Sequence, residues 1–448
     1  MQTLDALSRA LNSGQLRART LVDQALDRIA DPNGEGSRSF VSVNQSARVQ
    51  ADEIDRRRAK GEALPPFAGI PLALKDLFDV AGEITSAGSR IFAHEAPALR
   101  DAPAVARLRA AGFVFVGRNN MTEFAFSGLG LNPHYGTPAS PFDRTTRRIP
   151  GGSTSGGAVA VADGMAAASL GTDTGGSCRI PAAFCGIVGF KPTAHRVPRD
   201  GVTPLAHSLD SIGPLANSVE CCAALDAILR GVMPRPLAPV SLSGIRLLLP
   251  TSLVLDGMDE QVTKAFERGV DTLTQAGVAI TRQPLTELLR IPELNSRGGI
   301  AAAEAYAWHR PLLESHSAQY DPRVASRILK GGELTAQDVR DLHEARADVI
   351  DSVAQITNDV DALILPTTPI IPPPMSAFGQ DADYARLNGL VLRNPSLANF
   401  LDRCAISLPV HAQGEAPVGL MLIGRRDDDQ RLLAIARAIE IELNRTRL

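Results

Sequence analysis

The sequence lacks any long apolar run. No stretch of about eighteen or more apolar residues occurs, and the small-residue run at 158–170 is interrupted by Asp163 and Gly164. Its first nineteen residues are amphipathic and polar, whereas a signal peptide has a charged start and then an apolar stretch. These features predict a protein without a membrane anchor or export signal, and they favour a cytoplasmic location.

The chain has few cysteines, few aromatic residues and a small net charge. The five cysteines are odd in number and show no CxxC spacing, which argues against a disulfide framework or a zinc knuckle. A formal net charge of −3 gives no basic surface for nucleic acid or an anionic membrane. Aromatic residues make up 4% of the chain, so there is no signal for a stacking platform that binds aryl groups.

Common catalytic signatures are also missing. The chain has no GxxxxGK[ST] phosphate loop, no GxGxxG opening a βα unit, no HExxH and no GxSxG. His207, Ser208 and Asp210 contain the residue types of a hydrolase triad, but neighbours this close in sequence rarely form one. We therefore expect neither a metal nor a cofactor.

The chain instead has a Gly/Ser-rich stretch at 150–186. Two turns, at 151–157 and 171–177, flank the run of small residues at 158–170. Glycines allow backbone angles closed to other residues, and small side chains let two backbones approach closely. Such a stretch suits either a crowded core or a ligand-binding loop, and we interpret the run between the turns as a buried helical spacer.

Apolar periodicity predicts one large α/β domain with its strands in a central sheet. Two helices open the chain, and residues 201–214 are predicted as a long loop. We expect N-terminal helices over about 1–62, a catalytic core over about 63–230 and a remainder over about 240–448. The predicted strands cover 70–74, 113–117, 187–191, 245–250, 278–282, 361–366, 405–409 and 418–424. The later predicted helices cover 45–60, 102–111, 219–229, 259–276, 299–315, 322–329, 336–357, 393–402 and 430–445.

Lys75 stands at the end of the apolar strand predicted at 70–74. A buried ammonium is costly, so this lysine either reaches solvent, pairs with Asp76 or is partly neutral. A neutral amine could take the proton of a serine hydroxyl, which is a poor nucleophile without a base. From a reference pKa of ~10.4 this requires a downward shift of roughly three units, or about 4 kcal/mol. The glycines at 175 and 176 would surround Ser177 with backbone N–H donors, as an oxyanion hole requires.

Three long motifs carry a family resemblance: GIPLALKDLFDVAG, PGGSTSGGAVAVA and GTDTGGSCRIPAAFCGIVGFKPT. With them the chain resembles the amidase signature family, serine hydrolases that use a Ser–cis-Ser–Lys triad, over nearly its whole length. The resemblance implies a mixed, twisted sheet with helices on both faces. It also implies Ser177 as the nucleophile, Ser153 as a relay after a cis peptide bond, and Lys75 as the base.

The same resemblance implies the residues around the triad. The backbone N–H groups of Thr174, Gly175, Gly176 and Ser177 would form the oxyanion hole, and Ser155, Asp173 and Arg179 a supporting polar shell. Cys178 follows the nucleophile, but the glycines are arranged to present Ser177. We expect the acyl pocket to come from 120–135, 201–211, 306–327 and 366–399. Ser127 and Tyr135 are its candidate contacts.

The predicted function is hydrolysis of a small carboxamide through an acyl-enzyme on Ser177. Two related alternatives are the glutaminase (A) subunit of a tRNA-dependent amidotransferase and a hydrolase of ureido amides of the allophanate or biuret type. A non-catalytic scaffold of the same fold is a third. We expect a small-molecule amide as the partner, with no direct contact to nucleic acid or membrane, and the sequence leaves a homodimer open.

Overall fold

An eleven-stranded β-sheet organises the computed structural model, which describes residues 2–446. The strands come from almost the whole length of the chain. In chain order they are β1 (Phe40–Val43), β2 (Pro71–Lys75), β3 (Val114–Asn119), β4 (Ala168–Asp173), β5 (Val188–Lys191), β6 (Ser211–Ala216), β7 (Arg246–Pro250), β8 (Ala279–Gln283), β9 (Ala362–Pro366), β10 (Ala405–Pro409) and β11 (Gly419–Ile423).

Sixteen α-helices of the described residues surround this sheet. They are α1 (Leu4–Asn12), α2 (Ala18–Ala30), α3 (Gly36–Ser39), α4 (Ala47–Ala59), α5 (Pro103–Ala110), α6 (Ser155–Ala162), α7 (Arg179–Cys185), α8 (Val219–Leu229), α9 (Glu260–Gln275), α10 (Arg290–Leu294), α11 (Gly299–His316), α12 (Pro322–Leu329), α13 (Ala336–Ile356), α14 (Asp381–Arg393), α15 (Ser396–Phe400) and α16 (Asp429–Thr446). None of the helices within 2–446 is both long and apolar enough to span a bilayer.

The sheet is mixed, with the strand order β1-β3-β2-β4-β6-β5-β10-β11-β9-β7-β8. β2 runs parallel to both of its neighbours, β3 and β4, and β7 runs parallel to β8 and β9. The remaining pairs are antiparallel. Because β2 lies between two other strands and every one of its residues is buried, its last residue, Lys75, is delivered into the interior.

Helices cover both faces of the sheet. Successive side chains of a strand point to opposite faces. In β9, Ile364 belongs to one apolar cluster and the preceding residue, Leu363, belongs to a second. Phe266 of α9 packs in the first cluster, while Val349 of α13 packs in the second. The predicted α/β class, with one mixed sheet between two helical layers, is therefore confirmed.

Most elements follow the apolar periodicity of the sequence. α8, α12 and β10 begin and end at the predicted residues, and α1 and α2 are the two opening helices. In α1 the buried side chains Leu4, Leu7 and Leu11 lie three and four residues apart, which places them on one helix face.

The small-residue run at 158–170 is not the single helix that the sequence predicts. α6 ends at Ala162, and Gly164 follows with a φ of 72°, a left-handed conformation that terminates helices. The chain then forms β4, which pairs with β2 on one side and β6 on the other. A helix and a strand therefore separate the two Gly/Ser turns.

Two other predicted elements also need correction. The predicted loop at 201–214 contains the start of β6, where Ser211 pairs with Asp173 of β4. Gly213 and Pro214 are the reason that the sequence pattern does not indicate this strand, because both residue types are unfavourable in a sheet interior. The helix predicted at 393–402 is two elements: α14 ends at Arg393, and α15 begins after Pro395.

Candidate active site

Lys75 ends β2 with a fully buried amine. Its Nζ donates hydrogen bonds to Ser153 Oγ and Thr172 Oγ1, each across 2.8 Å. It does not depend on Asp76, whose carboxylate pairs with Arg118 at 3.4 Å. Burial lowers the pKa of the Lys75 amine to about 8, although nearby acidic groups act in the opposite direction. At this pKa a fraction of the amine is neutral near pH 7 and can accept a proton.

Ser153 lies in the first Gly/Ser turn, just before α6, and is fully buried. The peptide bond between Gly152 and Ser153 is cis. The Ser153 carbonyl accepts a hydrogen bond from the Thr122 N–H at 3.2 Å, and the Gly152 N–H donates to the Gly128 carbonyl at 2.8 Å. These two backbone contacts hold the turn against the segment that follows β3.

Ser177 lies in the second turn, between β4 and α7. Its side chain is nearly buried but lines a large cavity. The Ser177 carbonyl accepts a hydrogen bond from the Thr154 N–H at 3.3 Å, which joins the two turns directly. Gly176 has a φ of 127°, and a Cβ there would lie 2.5 Å from Pro395 Cβ. Glycine is therefore required next to Ser177.

The four backbone N–H groups predicted to form the oxyanion hole are not all free to bind a ligand. The Gly176 N–H already donates to Asp173 Oδ1 at 2.9 Å, so Gly176 drops out of the predicted set. Thr174, Gly175 and Ser177 line the cavity, and their N–H groups have no hydrogen-bond acceptor among residues 2–446. Three of the four predicted N–H groups are thus free to bind a ligand oxygen.

The predicted polar shell holds the second turn in place. Arg179 and Asp173 form a fully buried pair with N–O distances of 2.8 and 3.0 Å. Burial alone raises the pKa of the Asp173 carboxyl, but the Arg179 guanidinium outweighs this and brings the pKa to about 2. Asn399 Nδ2 donates to the same carboxylate at 3.0 Å. Within residues 2–446 the Ser155 hydroxyl makes one hydrogen bond, to the Asn120 carbonyl at 3.4 Å.

The competing nucleophiles found in the sequence have other contacts. His207 is exposed, Ser208 donates to Glu304, and Asp210 accepts a hydrogen bond from Thr174 Oγ1, so these residues form no triad. Burial raises the pKa of the Cys178 thiol, which contacts a backbone carbonyl 3.5 Å away. Within 2–446 no three His, Cys, Asp or Glu side chains are grouped to hold a metal ion.

The cavity beside Ser177 has a volume of about 1020 Å³. All four predicted pocket segments contribute to it, together with residues 295–302, which lie outside those segments. Ser127 lines the cavity as predicted. Tyr135 does not: it lines a separate pocket, and its hydroxyl donates to the Ser89 carbonyl at 3.3 Å.

Arg327 of α12 lines the cavity, and no acidic side chain of residues 2–446 forms an ion pair with it. Its guanidinium lies 4.6 Å from the centre of the Phe126 ring, and its Nε is buried with no acceptor among the described residues. Burial lowers the pKa of this guanidinium. A partly buried cation held this way lacks the carboxylate that normally accompanies a charge taken out of water.

Thr172 is not among the predicted site residues. Arg327 and Asn388, a buried residue of the cavity wall, lie within the predicted pocket segments 306–327 and 366–399, but the sequence does not single them out. Thr172 stands in the GTDTGGS motif, five residues before Ser177, and its place on a strand beside β2 is the only signal that could have found it. Arg327 and Asn388 are ordinary helix residues in sequence. Only the packing of α12 and α14 against the cavity reveals them.

Comparison with known proteins decides the family. The family model described as Amidase matches residues 20–433. The chain belongs to the amidase family. It is therefore an enzyme that hydrolyses carbon–nitrogen bonds of amides, as the sequence predicts.

Three relatives show how closely this amidase follows the family. It is 36% identical over 446 residues to the 2-amino-5-chloromuconic acid deaminase of Comamonas testosteroni, covering 97% of this chain and 96% of the relative. It is 32% identical over 473 residues to one subunit of the glutamyl-tRNA(Gln) amidotransferase of Roseiflexus sp. (strain RS-1), covering 98% and 96%. A crystal structure of an amidase superposes with a TM-score of 0.89 at 32% identity, covering 98% of this chain and 99% of the other.

Proposed function

We propose that this amidase hydrolyses a small carboxamide through an acyl-enzyme on Ser177. The observation that carries the proposal is the buried Lys75 amine, with a pKa of about 8, hydrogen-bonded to Ser153 at 2.8 Å. Lys75 accepts the proton of Ser153 while Ser153 accepts that of Ser177, whose Oγ attacks the amide carbonyl carbon. The proton then returns along the same path to the leaving nitrogen as the C–N bond breaks, and water hydrolyses the acyl-enzyme.

The negative charge that develops on the carbonyl oxygen needs donors that are already in position. The N–H groups of Thr174, Gly175 and Ser177 fill this role, because all three residues line the cavity and have no acceptor within 2–446. The Asp173–Arg179 pair supports them indirectly by holding the Gly176 and Cys178 N–H groups away from the cavity.

We propose further that the substrate carries a carboxylate as well as the scissile amide. Arg327 supports this, since a partly buried guanidinium with no acidic partner among the described residues suits an anionic ligand group. The similarity to a protein named as acting on 2-amino-5-chloromuconic acid is in keeping with an acidic substrate.

A screen for ammonia release tests both parts. The substrates are the monoamides of malonic, succinic and glutaric acid, each beside its neutral diamide. We expect a monoamide to be preferred, and Arg327→Gln to lower its kcat/KM by at least tenfold relative to the diamide. Ser177→Ala should lose turnover of every amide while keeping the thermal unfolding temperature of the wild type. Normal turnover by that variant would overturn the acyl-enzyme, and equal use of monoamide and diamide would overturn the acidic substrate.

A second candidate function is that of a glutaminase within an amidotransferase complex, which the similarity to the Roseiflexus protein favours. Affinity purification of the tagged chain from its native cell distinguishes this function from that of an independent amidase. A stoichiometric larger partner, with glutamine hydrolysis that depends on it, supports the complex. A chain that purifies alone and hydrolyses an amide unaided supports the independent amidase. The measured mass also reports whether it is a monomer or a homodimer.

A further inference from the structure

Asn388 is a buried amide in the wall of the cavity that contains Ser177. It lies on α14 and is 1% exposed. Its Nδ2 is one of the few buried side-chain donors that find no acceptor among residues 2–446. A buried donor without a partner is costly and uncommon in native proteins. A ligand that supplies the missing acceptor would explain it.

The orientation of this amide is set by its neighbours. Asn388 Oδ1 accepts hydrogen bonds from the Gly128 N–H and from Ser127 Oγ, both at 2.9 Å. The backbone N–H of Gly128 can only donate, so a flipped amide would set two donors against each other. The oxygen must therefore face Gly128, which leaves Nδ2 as the unpaired donor.

The same contacts place Asn388 near the reacting groups. The Gly128 carbonyl accepts the hydrogen bond from the Gly152 N–H, so one residue links Asn388 to the turn of Ser153. Leu392 lies one helical turn after Asn388, and its Cδ2 is 3.6 Å from the position a Cβ would take at Gly175. Because residues four apart share a helix face, α14 presents Asn388 close to the loop that carries Ser177.

Arg327 provides a second unpaired donor in the wall of the same cavity. Tyr384, one turn before Asn388 on α14, lines the cavity together with Arg327. A carboxylate has two oxygens that together accept about four hydrogen bonds, so it can satisfy both a guanidinium and an amide N–H. No acidic side chain of the protein fills this role in the described residues.

We propose that Asn388 is a specificity-determining residue that donates from Nδ2 to the substrate carboxylate beside Arg327. This rests on the proposed function and adds a second recognition group to it. The pairing also restricts the substrate: its carboxylate must reach Asn388 and Arg327 while its amide carbonyl lies at Ser177. Monoamides of short dicarboxylic acids meet that condition, whereas neutral amides of the same length leave both donors unpaired.

The substitution Asn388→Asp tests the proposal with little change in shape. It keeps an oxygen that can accept from Gly128 and Ser127, but it replaces the Nδ2 donor with a second carboxylate oxygen. We expect the ratio of kcat/KM for succinamate to kcat/KM for succinamide to fall at least thirtyfold. In a Ser177→Ala background, where nothing turns over, the same substitution should weaken succinamate binding in calorimetry by a similar factor.

Arg386→Gln is the matched control, because it also makes the charge of α14 more negative by one unit. Its side chain is 63% exposed and outside the cavity lining. We expect Arg386→Gln to leave the ratio unchanged. An unchanged ratio in Asn388→Asp, together with a reduced one in Arg327→Gln, would overturn the role of Asn388 and preserve the acidic substrate. Absence of succinamate turnover and binding in the wild-type chain would overturn both.

Discussion

The Glu123 carboxylate accepts a hydrogen bond from the backbone N–H of Asp321 across 2.7 Å, although 198 residues separate them in sequence. Asp321 caps α12 by accepting from the Arg323 N–H at 3.0 Å. The other Glu123 oxygen is held by Ser89 Oγ and His134 Nε2, both at 2.8 Å. This fully buried carboxylate therefore fixes the start of the helix that carries Arg327.

The first prediction concerns Glu123 as a positioning residue. Glu123→Gln should raise KM for succinamate by about tenfold with a smaller change in kcat, since losing a charged hydrogen bond of roughly 1.5–3 kcal/mol loosens α12. Steady-state kinetics with succinamate and with succinamide measure the separate changes in KM and kcat. Glu53→Gln, an exposed carboxylate paired with Arg56, is the control. A fall in thermal stability with KM unchanged would mean that Glu123 serves the fold alone.

The second prediction concerns the pH dependence of the reaction. If Lys75 is the base, kcat/KM should rise with pH about a midpoint near 8, as the amine loses its proton. Thr172 accepts a hydrogen bond from this amine and so favours its protonated form. Thr172→Val should lower the pKa of Lys75 and shift the midpoint to lower pH, while Thr172→Ser, which keeps the hydroxyl, should not. A profile that stays in place in Thr172→Val would exclude this tuning.

The third prediction concerns the stability cost of the buried amine. Burial lowers the pKa of Lys75 from 10.5 to about 8, so between these values the folded protein binds fewer protons than the unfolded chain. Stability due to this group therefore rises with pH across that window, by about 3 kcal/mol in total. Lys75→Met removes the titration. Its free energy of unfolding should exceed that of the wild type by about 3 kcal/mol at pH 7.

Urea unfolding of both proteins at pH 7, 9 and 10.5 measures this difference. The advantage of Lys75→Met should shrink through the window and vanish near pH 10.5. Because other titrating groups are the same in both proteins, they cancel in the comparison. An advantage that does not depend on pH would show that packing, rather than charge, separates the two proteins.

The fourth prediction concerns the backbone around Ser153. A Cβ at Gly152 would lie 2.6 Å from the Gly130 N atom, and backbone atoms cannot yield as a flexible side chain can. Gly152→Ala should therefore lower the thermal unfolding temperature by several degrees, the expected result of roughly 1–3 kcal/mol of overpacking. Gly175→Ala is the matched comparison, since its Cβ would meet nothing closer than 3.6 Å and should leave folding intact. Equal unfolding temperatures would contradict the predicted clash.

The sequence predicts those parts of the fold where periodicity and turn chemistry agree. The strand ending in Lys75 and the helices at 219–229 and 322–329 are such cases. The sequence does not predict β6, because its pairing with β4 is a long-range contact, and Gly213 and Pro214 give it no strand pattern. α7 was missed because Pro181 stands inside a helix of only seven residues.

In the candidate site, too, the sequence predicts some residues and only the structure reveals the others. Lys75, Ser153 and Ser177 stand in long motifs, so their roles could be predicted before any geometry was known. The sequence does not show that the Gly176 N–H is already hydrogen-bonded. That bond depends on the orientation of the Asp173 carboxylate, which accepts it from the same loop. Nor does the sequence single out Arg327 and Asn388, because an unpaired donor is recognised only when all of its neighbours are known.

β4 bears on how this enzyme can change its substrate. That strand lies against β2, carries Thr172 and Asp173, and leads into Ser177, so backbone ladders in the first half of the chain position Lys75 and Ser177. Alongside residues of the first half, α12 and α14 in the second half line the cavity beside Ser177. Substitutions on those two helices change no residue of β2, β4 or β6. A library restricted to their cavity-facing positions should therefore yield new amide specificities at a largely constant kcat.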